Sequence, residues 1–188
     1  MKKILLFAAF AALTFTTSHA QDFRFGAKLG ANFASINGDD ADESDGRTSF
    51  HVGGGVARIG FTEMIALQPE LIFSSQGYKY DLSGEDVSIR LGYINLPIMA
   101  DITLADGFSL QGGPQVGFNV TSDAKYDGDT TDLEDVETID FGVGIGAQYI
   151  LPMNLFFQAR YVIGITDIAE EADAKNSVIS LSVGYFFN

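Results

Sequence analysis

The chain has 188 residues, no cysteine, no tryptophan, and 25 acidic residues against 11 basic ones, a net charge of −14. That balance excludes a nucleic-acid partner, whose phosphates need a basic surface. The lack of cysteine excludes a disulfide framework and a thiolate metal site, and the length suits one domain able to bury a core.

The first twenty residues, MKKILLFAAFAALTFTTSHA, carry two lysines, an apolar run from Ile4 to about Phe15 and the small-x-small ending Ser18-His19-Ala20. They predict a cleavable secretory signal peptide over 1–20, cut before Gln21, and one mature domain over 21–188. The apolar run is shorter than the roughly 20 residues that a spanning helix needs. Cleavage leaves nine basic residues against 25 acidic ones, a net charge of −16.

From there the apolar pattern has period two, the signature of strands with two unlike faces. The first strand runs from about Phe23 to Ala34, with Phe23, Phe25, Ala27, Leu29, Ala31 and Phe33 on one face and Arg24, Lys28 and Asn32 on the other. After the polar loop NGDDADESDGR, the second covers about Thr48–Ala57 with Phe50, Val52 and Val56 on its apolar face. The third sets Ile65, Leu67, Leu71 and Phe73 against Gln68, Glu70, Ser74 and Gln76, and a polar loop follows over about Gly77–Asp86. In the fourth strand the apolar parity changes, from Val87, Ile89 and Leu91 opposite Arg90 to Ile94, Leu96 and Ile98; a one-step change is what a β-bulge produces, here near Gly92-Tyr93. The fifth strand covers about Phe108–Val120, and the longest loop, TSDAKYDGDTTDLEDVE, separates it from the sixth, which sets Ile139, Phe141, Val143, Ile145, Ala147 and Tyr149 against Asp140, several glycines and Gln148. The seventh sets Phe157, Ala159, Tyr161, Ile163 and Ile165 against Gln158, Arg160 and Gly164, and the eighth carries Ile179, Leu181, Val183, Tyr185 and Phe187. Pro69, Pro97 and Pro114 lie inside strands, where each removes a ladder donor, and predict irregular pairing there.

Long connections follow the first, third, fifth and seventh strands and short ones follow the second, fourth and sixth. Long extracellular loops alternating with short periplasmic turns are the mark of an outer-membrane barrel. A soluble lipocalin-like barrel also alternates, but its polar face would meet water, and here that face is rich in glycine, which offers no side chain to solvate. Aromatic residues gather at both ends of the apolar face: Phe23, Phe25, Phe108, Tyr149, Phe157, Tyr185 and Phe187 at one, Phe33, Phe50, Phe73, Phe118 and Phe141 at the other. Two such bands are the interfacial girdles of a membrane barrel. The expected fold is therefore all-β: an eight-stranded antiparallel up-and-down transmembrane β-barrel in the cell outer membrane.

The segments LQPELIFSSQGY, LGYINLPIMA, LQGGPQVGF, IDFGVGIGAQY and ARYVIGITDI, taken in order across the mature chain, resemble the PorT-like outer-membrane β-barrel family of Bacteroidota-type Gram-negative bacteria. The resemblance implies a barrel fold and, through the protein that gives the family its name, a secretion-accessory role alongside other outer-membrane or periplasmic components of type IX secretion.

Three places could carry chemistry. The inward face carries Arg24, Lys28, Glu70, Arg90, Asp140 and Arg160, a set expected to pair as a structural charge network, because isolated buried charge is costly. Nineteen of the 25 acidic residues lie in the four long connections, among them Asp39, Asp40, Asp42 and Glu43 in the first and Asp127, Asp129, Asp132, Glu134 and Asp135 in the third. Their spacing fails the EF-hand pattern, which leaves a solvated repulsive surface with weak divalent-cation binding as the sharper alternative. His51, with Ser49 two residues before it, would be the centre of any lipid-modifying activity, but there is no G-x-S-x-G motif. The expectation is a non-enzymatic protein without a cofactor, whose partners are outer-membrane lipid and secretion proteins. The alternative functions are a loop-borne ligand-binding or adhesion surface and, behind it, a lipid-modifying enzyme or a narrow pore.

Overall fold

The computed structural model describes residues 22–38, 44–82, 85–126, 129–133, 136–169 and 172–187. The expected signal peptide and Asp39, Asp40, Asp42, Glu43, Asp127, Glu134 and Asp135 lie outside the described residues. The strands are β1 (Phe23–Asn37), β2 (Ser44–Gly60), β3 (Ile65–Leu82), β4 (Glu85–Ala105), β5 (Phe108–Tyr126), β6 (Asp129–Asp132), β7 (Ile139–Ile150), β8 (Leu155–Ala169) and β9 (Ala172–Phe186). Each pairs antiparallel with its neighbour, and β9 returns to β1 in an unbroken ladder from Gly26↔Phe186 to Asn37↔Lys175. Eight strands thus close a ring, while the four-residue β6 pairs with β5 alone.

A spanning strand needs about 9–11 residues. The 21 residues of β4 and 19 of β5 therefore carry the wall well beyond the bilayer on the side of the long connections. Much of what the sequence presents as polar loop is paired hairpin, with β3 and β4 matched as far as Leu82↔Glu85 and β5 and β6 from Asp123↔Asp132 to Tyr126↔Asp129. The short turns after β2, β4 and β7 mark the periplasmic end.

Leucine, isoleucine, valine and phenylalanine side chains cover the outer surface, including Leu29, Val52, Leu71, Ile98, Leu110, Ile145, Ile163 and Leu181, and the aromatics expected at the two rims stand exposed there, apart from the half-buried Phe73. An apolar exterior of this extent is a lipid-facing surface.

The interior departs from the expectation in two strands. The register change expected near Gly92-Tyr93 is present in the β4–β5 ladder, but the extra residue belongs to β5: Gly92 pairs with Thr121 and Tyr93 with Asn119, leaving Val120 out. β4 itself keeps its alternation, so Val87, Ile89 and Leu91 face inward instead of lipid, in line with Tyr93, Asn95, Met99 and Asp101. With Ile36, Ile168 and Ala174 they form an apolar layer inside the extracellular end, against which Tyr78, Tyr80, Ala124, Leu133 and Val136 pack. In β2 a second irregularity lies between Gly53 and Gly55. It turns Val56, expected beside Phe50 and Val52 on the lipid face, into the interior. There Val56 meets Phe156 and Phe186 in a second apolar layer near the periplasmic end. The rings of Phe156 and Phe186 lie 4.6 Å apart, and Gly184 makes room for them, since a Cβ at that position would overlap the Phe156 ring.

The prolines keep the register but interrupt the pairing, for the β3–β4 ladder skips Glu70 and Leu71 opposite Pro97 and Leu96, and the β4–β5 ladder skips Ile98 and Met99 opposite Pro114 and Gly113. The β3–β4 ladder keeps one register from Pro69↔Ile98 to Ile72↔Asn95, the β4–β5 ladder from Pro97↔Gln115 to Ala100↔Gly112, and Pro114 pairs in line with Val143.

Two outcomes are expected on denaturing gels. The unboiled folded protein migrates differently from the boiled one. Gly184→Val, which overpacks the periplasmic layer at a cost of about 1–3 kcal/mol or more, loses the unboiled mobility at a lower urea concentration than the parent does.

Candidate functional site: the lumen charge network

Between the two apolar layers the inward positions are polar, and Glu70 of β3 is their hub. Its carboxylate accepts both guanidinium arms of Arg160 from β8, Nη1 to Oε2 at 2.9 Å and Nη2 to Oε1 at 2.8 Å. It also accepts Lys28 Nζ from β1 at 2.7 Å and Gln68 Nε2 at 2.8 Å. Four donors use the full capacity of a carboxylate. Lys28 also donates to Gln158 Oε1 at 2.6 Å. Gln158 donates onward to Gln111 and Gln148, and Gln148 and Gln68 exchange bonds.

A second ion pair lies toward the periplasm. Arg58 Nη2 donates to Asp101 Oδ1 at 3.0 Å, while Asp101 Oδ2 accepts from Ser109 Oγ at 2.7 Å and Gln111 Nε2 at 3.0 Å. Because Gln111 Oε1 also accepts from Arg160, that one amide joins the two ionic clusters.

Toward the extracellular side, Asn32 Nδ2 donates to Ser74 Oγ and to the Ser75 carbonyl, which fixes the amide and points its Oδ1 at His51 Nδ1, 2.8 Å away. Oδ1 can only accept, so Nδ1 carries the imidazole proton and Nε2 accepts from the Ser182 hydroxyl at 2.8 Å. Both ring nitrogens are thus engaged. Ser49 donates instead to the Ser75 carbonyl at 2.6 Å, and the Ser49–His51 juxtaposition that would serve an enzyme is not formed. The cavity lined by His51, Lys28, Gln76, Asn95 and Gln115 measures about 30 Å3, room for about two waters.

Of the six residues expected to form one network, the structure brings together Lys28, Glu70 and Arg160. Asp140 is inside but apart, held by Thr166 Oγ1 at 2.9 Å and Asn176 Nδ2 at 3.0 Å. Arg24 pairs with Asp22 at the periplasmic rim, 3.0 Å away. Arg90 points out of the barrel, a correction that follows from the bulge: with β4 unbroken, its even-numbered residues face away from the lumen. There Arg90 forms an ion pair with Asp123 and reaches Thr130 Oγ1 of β6 at 3.4 Å. Sequence reasoning passed over Asp101, and it missed Arg58 because the β2 irregularity that turns it inward lies within a run of three glycines whose parity cannot be read. It also underrated the period-two glutamines, the signal that marks the polar middle of the lumen. In the third acidic segment, Asp129 and Asp132 are exposed on β6. Among the described residues no group of three or more His, Cys, Asp or Glu side chains could hold a metal ion.

A family model described as outer membrane protein beta-barrel domain matches residues 18–170. No curated protein matches the chain. Among solved structures, Ail, the attachment invasion locus protein of Yersinia pestis, is similar with a TM-score of 0.57 and 16% identity, over 87% of this chain and 98% of that one. Neisserial surface protein A is similar with a TM-score of 0.59 and 14% identity, over 87% and 97%. At these identities the likeness is one of fold. The chain belongs to the outer membrane protein beta-barrel domain family, and its place is the outer membrane.

Removing one member of a buried ionic cluster leaves its partners uncompensated and costs about 3–5 kcal/mol, whereas replacing the whole cluster by apolar groups of similar volume is near neutral. Glu70→Ala is therefore expected to lower unfolding stability in lipid vesicles by about 3–5 kcal/mol, and the triple change Lys28→Met, Glu70→Leu, Arg160→Met by much less. Urea titrations followed by circular dichroism measure both.

Proposed function

We propose that this outer-membrane barrel is a non-enzymatic, non-conducting anchor that presents an acidic interaction surface on extracellular hairpins. The observation that carries the reading is the apolar layer beneath those hairpins. Ile36, Val87, Ile89, Leu91, Tyr93, Ile168 and Ala174 are buried above the membrane-spanning wall, as in the core of a soluble domain. Such a layer holds the hairpins in fixed relation to one another and closes the outer mouth. A pore would keep that mouth polar and wet. Val56, Phe156 and Phe186 close the other end, and the polar groups between are spent on each other. His51 has both nitrogens bonded inside this closed compartment, where lipid substrates do not reach.

The chemistry of the surface follows from its charge. Acidic residues concentrated in the long connections raise a negative potential over the outer face, which attracts a cationic partner and repels anionic ones. The partner class proposed is therefore a protein or polymer with a basic surface. A secretion-accessory role is the narrower alternative, and it rests on the resemblance to PorT-like proteins; the family match is to the barrel domain and extends no further.

Two measurements test the reading. Cells carrying Asp→Asn and Glu→Gln changes at Asp39, Asp40, Asp42, Glu43, Asp127, Asp129, Asp132, Glu134 and Asp135 are expected to bind immobilised polylysine about tenfold less than the parent at low salt, with the difference fading as salt screens the field. A clean deletion is expected to leave the secreted proteome unchanged. Loss of type IX cargo would overturn the anchor reading in favour of secretion.

A further inference from the structure

The periplasmic mouth of the barrel holds a recess of about 430 Å3, within the range of small-molecule sites. From its composition we infer that the recess binds the free carboxyl end of a short zwitterionic peptide with an apolar last residue: the Arg58 guanidinium lies at its inner side, Tyr149 and Ile150 form an apolar wall, and Glu63 and Asp106 line it from the flanking turns.

The argument begins with Arg58. It is nine-tenths buried, yet its hydrogen bonds are incomplete. Nη2 is used by Asp101 and Thr103, at 3.0 and 3.3 Å. Nε has no partner, and Nη1 comes no nearer than 3.9 Å to Asp22 Oδ2, beyond hydrogen-bond reach. The charge is matched by Asp101 and Nε is sealed from solvent, so the donor that an acceptor in the recess can reach is Nη1. A carboxylate accepts from such a cationic donor more strongly than a neutral oxygen does.

The remaining lining decides which carboxylate. A phosphate or a polyanion would be repelled by Glu63 and Asp106, whereas a monoanion carrying its own amine meets them favourably. Arg24, already paired with Asp22, adds no net charge to the recess. Tyr149 and Ile150 offer apolar surface beside the cationic group. Carboxylate, apolar side chain and amine together describe an amino-acid-like ligand, and the volume admits a dipeptide. The recess opens away from the acidic extracellular hairpins, so the inference is independent of the anchor function and goes beyond it.

The test uses the folded, isotope-labelled barrel in detergent micelles, titrated with glycyl-leucine, glycyl-leucinamide and acetylglycyl-leucine, with backbone amide shifts as the readout. Glycyl-leucine is expected to give saturable shifts at Arg58, Glu63, Asp106 and Ile150. The amide, which lacks the carboxylate, is expected to bind at least about tenfold more weakly, as the loss of a charge-assisted hydrogen bond predicts. Glu63→Gln with Asp106→Asn, changes confined to exposed turns, is expected to weaken glycyl-leucine severalfold and to leave the acetylated peptide unaffected. Equal affinity for the acid and its amide, absence of saturable shifts up to tens of millimolar, or shifts confined to the extracellular strands would each overturn the inference.

Discussion

In hydrocarbon no water is available to complete a main-chain hydrogen bond, so every amide in the spanning wall must find its partner within the protein. The β1–β9 ladder, twelve residue pairs from Gly26↔Phe186 to Asn37↔Lys175, is where that demand is finally met. Without it β1 and β9 would each present a bare edge to lipid, and the outward leucines and phenylalanines would belong to an open sheet. Ring closure also creates the interior. Lys28 on β1 reaches Gln158 on β8 and Glu70 on β3 only because the sheet curls back on itself.

That interior is layered. A polar middle built from Glu70, its two cations and a mesh of glutamines lies between an aromatic layer at the periplasmic end and an aliphatic one at the extracellular end. The layering reconciles two demands. Charges in a narrow lumen need one another at hydrogen-bond distance, and both mouths must be closed if the barrel is not to leak. The extracellular layer has a further effect, for it lets β3, β4 and β5 continue as ordered sheet past the bilayer, where strands without a buried face would fray.

Most of this architecture was legible from alternation. The eight wall strands, the two aromatic belts and the Lys28, Glu70 and Arg160 set follow from period two, because a residue's face is decided by its parity. The failures share one cause. At Val120 in β5 and around Gly54 in β2 an extra residue shifts the count, and everything beyond it changes sides. An apolar run cannot reveal which of two paired strands holds the extra residue, so Val87, Ile89 and Leu91 were assigned to lipid and Arg90 to the lumen, the reverse of what the structure shows. The β6 hairpin was illegible for another reason. Asp129–Asp132 has no apolar face, and its pairing depends on the neighbouring β5 edge and on Arg90.

The Glu70 cluster also bears on the order of events in assembly. Its three charged members come from the first, third and eighth strands of the chain, so no sheet built from neighbouring hairpins alone can contain it. A half-inserted intermediate would hold Lys28 and Glu70 without Arg160, or Arg160 without either, beside a membrane that tolerates none of them. Such intermediates lie uphill, and a late strand in the wrong register would leave the same charges stranded. The network thus favours the closed ring over partly paired forms, because its bonds are complete only when distant parts of the chain stand in the correct alignment.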